Sequence, residues 1–177
     1  MTGFKPYISE SYLYHAAVHY LQRYASTVTQ LRRVLQRKVQ RAQMKGEEIS
    51  PDAPQWIEKA VEKCVKLGFV NDQIFAEQKS RSLRRQGKAR HFIINTLQQK
   101  GVDKALIRDV MEQEEGSELD AAIRTVQRKR LGRDPSPEGR QKDLAKLVRG
   151  GFALQIARQA LKTVADDTDK EHEDHMF

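Results

Sequence analysis

Residues 97–111, LQQKGVDKALIRDVM, are echoed fifty positions later by residues 147–161, LVRGGFALQIARQAL. In that register Leu97 meets Leu147, Gly101 meets Gly151, Val102 meets Phe152, Leu106 meets Ile156, Arg108 meets Arg158 and Met111 meets Leu161. Each copy runs from an apolar-periodic segment through a glycine suited to a left-handed helix stop into a second periodic segment. A stretch written twice in a short chain points to a repeat architecture.

Outward from this pair, helical periods continue in both directions and almost nothing reads as a strand. Upstream of residue 97, NDQIFAEQKSRSLRRQ opens at an Asn/Asp cap with Ile74, Phe75 and Leu83 as its apolar face, and ARHFIINTLQQKG carries Phe92, Ile93, Ile94 and Leu97. With DKALIRDVMEQ, opening at Asp103, these make a triplet of helices. A third triplet consists of SELDAAIRTVQRKR, opened by Ser117 with Asp120 three residues on, a helix capped by Ser136-Pro137, and FALQIARQALK. The first triplet starts with ESYLYHAAVHYLQRYA, whose Leu13, Ala17, Tyr20, Leu21 and Tyr24 form one stripe. Thr27 and Gln30 then read as a capping box for a helix facing inward with Leu31, Val34, Leu35 and Val39. After a loop, Ser50-Pro51 precedes a helix with Ile57, Ala60, Val61, Cys64, Val65 and Leu67, which Gly68 ends.

The expected fold is therefore all-α, a tandem array of three three-helix repeats resembling helix-turn-helix units, elongated and curved. Expected boundaries are an N-terminal extension at 1–10, triplets at 11–70, 71–115 and 116–163, an inserted loop at 45–55, and an acidic, disordered tail at 164–177.

Charge narrows the function. The 177 residues carry a net charge of +8, with 38% hydrophobic and 32% charged residues. The tail from Val164 sets Asp166, Asp167, Asp169, Glu171, Glu173 and Asp174 against Lys170 alone, so the body is more basic than the whole. A basic body attracts polyanions, and nucleic acid is the commonest in the cytoplasm. The cytoplasm is the expected location, because the N-terminus lacks the basic-then-apolar order of a secretory signal, no apolar run approaches the roughly 20 residues of a membrane span, and Cys64 stands alone. Packing as a small apolar residue is the expected role of that cysteine.

The cations cluster. In QKSRSLRRQGKARH, Lys79, Arg81, Arg84, Arg85, Lys88, Arg90 and His91 crowd one helix end and the following turn, with no paired carboxylate evident in the stretch. Arginine forks bind phosphates bidentately, so the cluster suits a DNA backbone or an acidic protein groove. A solvated helix face whose stems cover apolar neighbours is the plainer alternative. The same two readings apply to RTVQRKRLGR, with Arg124, Arg128, Lys129, Arg130 and Arg133, and to Arg32, Arg33, Arg37, Lys38 and Arg41. Few aromatics interleave with these runs, which favours sequence-independent contact over base stacking.

Three stretches resemble the RecX regulatory proteins: YLQRYASTVTQLRRVL, GFVNDQIFAEQKSRSLRRQGKARHFIINTLQQKGV and KLVRGGFALQIARQAL. The resemblance covers about residues 11 to 163. The family's Asp and Phe-Ala at the head of the second triplet are matched by Asp72, Phe75 and Ala76. Its basic residues and glycine are matched by Arg81 and Gly87, and its Leu with Lys-Gly by Leu97, Lys100 and Gly101. The chain departs from the pattern in the inserted MKGEEISPDAPQ loop, in Gln30 where the second helix usually opens with an acid, and in the acidic extension. The resemblance implies a non-enzymatic protein that binds the RecA–DNA filament, and a monomer is expected. It implies negative modulation of RecA recombinase, ATPase and coprotease activity in DNA repair and the SOS response, with weaker, sequence-independent binding to single- and double-stranded DNA. Lys100 joins the basic residues above as an expected contact to RecA or DNA.

Catalysis is not expected: the chain has no GxxxxGK[ST] loop, no GxSxG elbow and no Cys/His pattern suited to zinc, so no cofactor or metal is anticipated. Asp72 and Glu77 are poorly spaced to share a metal. His172 and His175 read as a solvated end rather than a ligand set, and Trp56 as core packing or an interface anchor. The competing function is a helix-turn-helix transcription factor, which reads bases at one site.

Overall fold

The computed structural model describes residues 8–113 and 117–173, the side chains of 167–173 excepted. Among the described residues there are nine helices and no strand: α1 (Glu10–Leu21), α2 (Val28–Met44), α3 (Ala53–Lys66), α4 (Asp72–Arg85), α5 (Arg90–Gln99), α6 (Lys104–Glu112), α7 (Glu118–Lys129), α8 (Pro137–Arg149) and α9 (Leu154–Glu173).

Local chemistry sets most starts. Thr27, Ser117 and Ser136 are extended at the N-cap, and their hydroxyls accept from the amides of Gln30, Asp120 and Gly139 at 3.1, 3.3 and 3.0 Å. Asn71 does the same for Ile74 at 3.0 Å. The third helix differs from expectation. Ser50 accepts from the Asp52 amide, Asp52 is the N-cap without a side-chain bond, and the preceding loop spans 45–52.

The chain forms two compact units. One runs to Ala76 and includes Gln99–Asp103; the other comprises Glu77–Gln98 and the chain from Lys104. In the first, α1 and α2 pack on α3 around Leu13, Ala17, Leu31, Leu35, Ile57, Val61 and Cys64. Each large side chain buried here contributes about 1.5–3 kcal/mol. Burial raises the pKa of the Cys64 thiol despite the neighbouring Lys63, so this cysteine packs, as expected. Trp56 also packs, half-buried, against that core. In the second unit, α7 and α8 pack on α9, with Ala89, Ala121, Ala122, Val126, Leu147, Phe152, Ala157 and Ala160 at the centre.

Some expected core residues lie outside. Ile74, on the side of α4 opposite Ala76, is exposed. Phe92, one position off the Ile93–Leu97 stripe, lies open under the Lys88 ammonium. Val65, Leu67 and Tyr24 are also exposed: Val65 is off the α3 stripe, Leu67 caps that helix, and α1 ends at Leu21 before reaching Tyr24. At the other end, α9 continues past residue 163 to Glu173, since no glycine or proline follows Gly151 to stop it.

One device recurs in both units. Asp72, the first residue of α4, accepts the Val28 amide at the start of α2 at 2.8 Å. Glu118, the first residue of α7, accepts the Arg90 amide at the start of α5 at 3.0 Å. Each carboxylate satisfies an orphan N–H and sits at the positive end of a helix.

Candidate functional site

The cluster from Lys79 to His91 divides by the face of α4. Ala76, Ser80, Leu83 and Arg84 lie on its buried side, whereas Ile74, Gln78, Arg81 and Arg85 look outward. Arg84 is therefore turned into the fold. The residue is 6% exposed, and its guanidinium lies 2.7 Å from Glu118 and also donates to the Lys88 carbonyl at 3.2 Å. Arg90 is likewise engaged internally, through its amide to Glu118 and its guanidinium to the Met111 carbonyl at 2.7 Å. Contrary to expectation, a carboxylate does serve this cluster, supplied from α7.

The remaining members face solvent to different degrees. Arg81 makes an exposed 3.5 Å pair with Glu77, a contact worth little and readily exchanged for another anion. Lys88 lies 4.8 Å from the Phe92 ring centre, and His91 shares a 3.0 Å hydrogen bond with Asn95. Lys79 and Arg85 have no charged partner among the described residues.

On α7 the expected basic run is partly structural. Thr125 donates to the Gly87 carbonyl at 2.6 Å, Arg124 to Arg84 at 3.4 Å, and Arg128 to Gln86. Three adjacent side chains thus cap the carbonyl end of α4, where cations are favoured by the helix dipole. Arg130, in the left-handed region at φ 52°, and Arg133 remain exposed.

On α2, Arg32 is committed: it forks onto Glu58 at 2.7 and 2.8 Å, and the hydrogen bond from Arg32 holds that carboxyl below the usual range. Arg33 and Arg37 are exposed and line a cleft of about 360 Å³ with Tyr20, Gln30, Val34, Gln36 and Gln40. Tyr20 and Tyr24 lie with ring centres 5.2 Å apart. Sequence reasoning placed both tyrosines on the apolar stripe of the first helix, whereas the turn between α1 and α2 brings Tyr20 to the cleft lined by Arg33 and Arg37. Lys100 sits at the end of α5, with its carbonyl accepting the Thr27 hydroxyl at 2.6 Å.

Among the described residues no three His, Cys, Asp or Glu side chains gather to hold a metal, and Asp72 is spent on Val28. His175 and the His172 side chain lie outside the described residues. No described helix is long and apolar enough to cross a membrane.

A family model for the second three-helix domain of RecX matches residues 71–111. A regulatory protein RecX of Myxococcus xanthus is 40% identical over 162 residues, covering 87% of this chain and 86% of the relative. One from Agrobacterium fabrum is 26% identical over 164 residues, covering 90% and 86%. In structure, the chain resembles crystalline RecX from Lactobacillus salivarius with a TM-score of 0.64 at 19% identity, over 88% of this chain and 96% of that one. It also resembles a second crystal structure of regulatory protein RecX, with a TM-score of 0.66 at 18% identity, over 85% and 70%.

Proposed function

We propose, from the premise that this chain belongs to the RecX family, that it acts in the cytoplasm as a monomeric regulator that binds the RecA–DNA filament and lowers RecA recombinase, ATPase and coprotease activity. The observation that carries this reading is the set of cations left without internal carboxylate partners. Arg85 with the weakly held Arg81 in the second unit, and Arg33 and Arg37 in the first, are exposed, and Lys79 and Lys88 are half-exposed. Exposed charges contribute little to stability and much to association with a polyanion. Lys100, Arg130 and Arg133 are secondary contacts in this reading, and Arg84, Arg90, Arg32 and Arg128 hold the scaffold.

The sequence offers no catalytic motif, so the effect on RecA is stoichiometric binding. The test is RecA ATPase on single-stranded DNA with and without this protein. A fall in the steady-state rate that grows with protein concentration and saturates supports the reading; an unchanged rate at a several-fold excess over RecA removes it.

A further inference from the structure

We propose that the cleft between α1 and α2 is a subsite for single-stranded nucleic acid, in which Arg33 and Arg37 hold neighbouring phosphates and the Tyr20–Tyr24 pair stacks a base. The proposal deepens the nucleic-acid part of the reading above and rests on it, without requiring RecA.

Charge is the first ground. The α2 sequence VTQLRRVLQRKVQRAQM contains five cations and no acid. Glu58 satisfies Arg32, which leaves Arg33 and Arg37 exposed, the latter reaching only the Arg33 carbonyl at 3.3 Å. Residues four apart on a helix advance about 6 Å along the axis on one face. Two guanidiniums so spaced suit successive phosphates of a stretched single strand, each held by a fork.

The rings are the second. Tyr24 is 58% exposed although it is a large aromatic, and it lies beside Tyr20 with an interplanar angle of 36°. Tyr20 itself lines the cleft. An exposed ring next to backbone-binding cations is how sequence-tolerant single-strand sites are built, since every base has a π-face. Val34 gives the cleft an apolar wall, and Gln30, Gln36 and Gln40 can donate to or accept from base edges. An acidic polypeptide would use the arginines but has no need of the ring pair. Duplex DNA would leave the rings idle, its bases being stacked already.

Binding of a fluorescent oligo(dT) to the full chain, with RecA absent, tests this. Tyr24→Ala should weaken oligo(dT) binding about fivefold or more while Tyr24→Phe retains it. Binding of an abasic deoxyribose-phosphate oligomer of equal length should not change with Tyr24→Ala. The Arg33→Gln, Arg37→Gln pair should weaken both ligands and lower the salt slope by about 1.4, at roughly 0.7 per single-strand phosphate contact. All three positions are exposed, and circular dichroism melting confirms folding of each variant. Failure of the parent to bind oligo(dT), an unaltered affinity in Tyr24→Ala, or competition by polyglutamate as strong as by oligo(dT) overturns the proposal. RecA ATPase measured on the same proteins keeps the two readings apart. Loss of regulation with intact, Tyr24-dependent oligonucleotide binding defeats only the regulatory reading.

Discussion

A Cβ placed on Gly101 would lie 2.5 Å from the Cβ of Thr29, closer than two carbons can approach. The Thr29 hydroxyl donates to the Gly101 carbonyl at 3.1 Å, and the Thr27 hydroxyl donates to Lys100 beside it at 2.6 Å. The turn ending α5 is thus seated on the first residues of α2. Gly151 makes the corresponding approach to α5, where a Cβ would meet Ala89 at 3.4 Å and His91 at 3.8 Å. The fifty-residue echo is therefore a repeated docking turn: Leu97 and Leu147, then Val102 and Phe152, are buried on either side of glycines at φ +82° and +95°.

Gly101→Val should destabilise the protein by about 2–4 kcal/mol, from left-handed strain and forced displacement of Thr29 together. Gly46 is the control. It has φ +82° with nothing within 4 Å of a Cβ, so Gly46→Ala carries the backbone cost alone, about 1–2 kcal/mol. Urea unfolding of the two variants separates the terms, and equal losses would show that the Thr29 contact is slack.

Glu118 is the acceptor for both Arg84 and the Arg90 amide. Glu118→Ala strands a guanidinium whose side chain is only 8% exposed, and should cost about 2–3 kcal/mol, less than a fully buried pair because Glu118 is itself 27% exposed. Glu118→Gln keeps an acceptor and should cost less. A double-mutant cycle with Arg84→Met measures the coupling by denaturation; a coupling near zero would mean that solvent already screens the pair.

The caps at Thr27, Ser117 and Ser136 and the stop at Gly101 obey rules spanning three or four residues, so their letters sufficed. Glu118 lies 34 residues from Arg84 and 28 from Arg90, and no local rule links them. A signal existed nonetheless: Arg84 falls four residues after Ser80 and eight after Ala76, on the stripe that carries the core. An arginine on that stripe calls for a buried acid. Nothing comparable marked Tyr24, which the expected length of α1 had assigned to a helix face instead of an open turn.

Asp143 gives a pH dependence with a definite sign. Burial tends to raise its pKa, but the Gly132 amide at 2.7 Å and the Lys146 ammonium at 2.9 Å outweigh burial and leave it below the ordinary carboxylate value. A depressed folded pKa means stabilisation that is fully present above the unfolded value, about 3.9, and lost as pH falls through the lower folded value. Asp143→Asn resembles the protonated acid. The stability gap between parent and variant should be constant near neutrality and close as pH drops below about 4. Thermal melts from pH 7 to pH 2.5 check this, and a gap that widens in acid would contradict it.

Binding cations and structural ones respond differently to removal. Lys79 and Arg85 have no charged partner among the described residues, whereas Arg84 and Arg90 are held by Glu118 and the Met111 carbonyl. Lys79→Gln with Arg85→Gln should change stability by no more than about 0.5 kcal/mol. If both cations meet phosphates, the pair should weaken RecA inhibition and lower the salt slope of single-stranded DNA binding by about 1.4. Arg84→Gln should do the reverse, lowering the melting temperature first and affecting binding only through lost folding. A reader of one DNA site would respond differently, losing preference for that site over competitor DNA while remaining indifferent to RecA. If Lys79→Gln, Arg85→Gln leaves both inhibition and salt slope intact, this face of α4 is only solvated, and the contact to the filament passes to Arg33 and Arg37 or to Arg130 and Arg133.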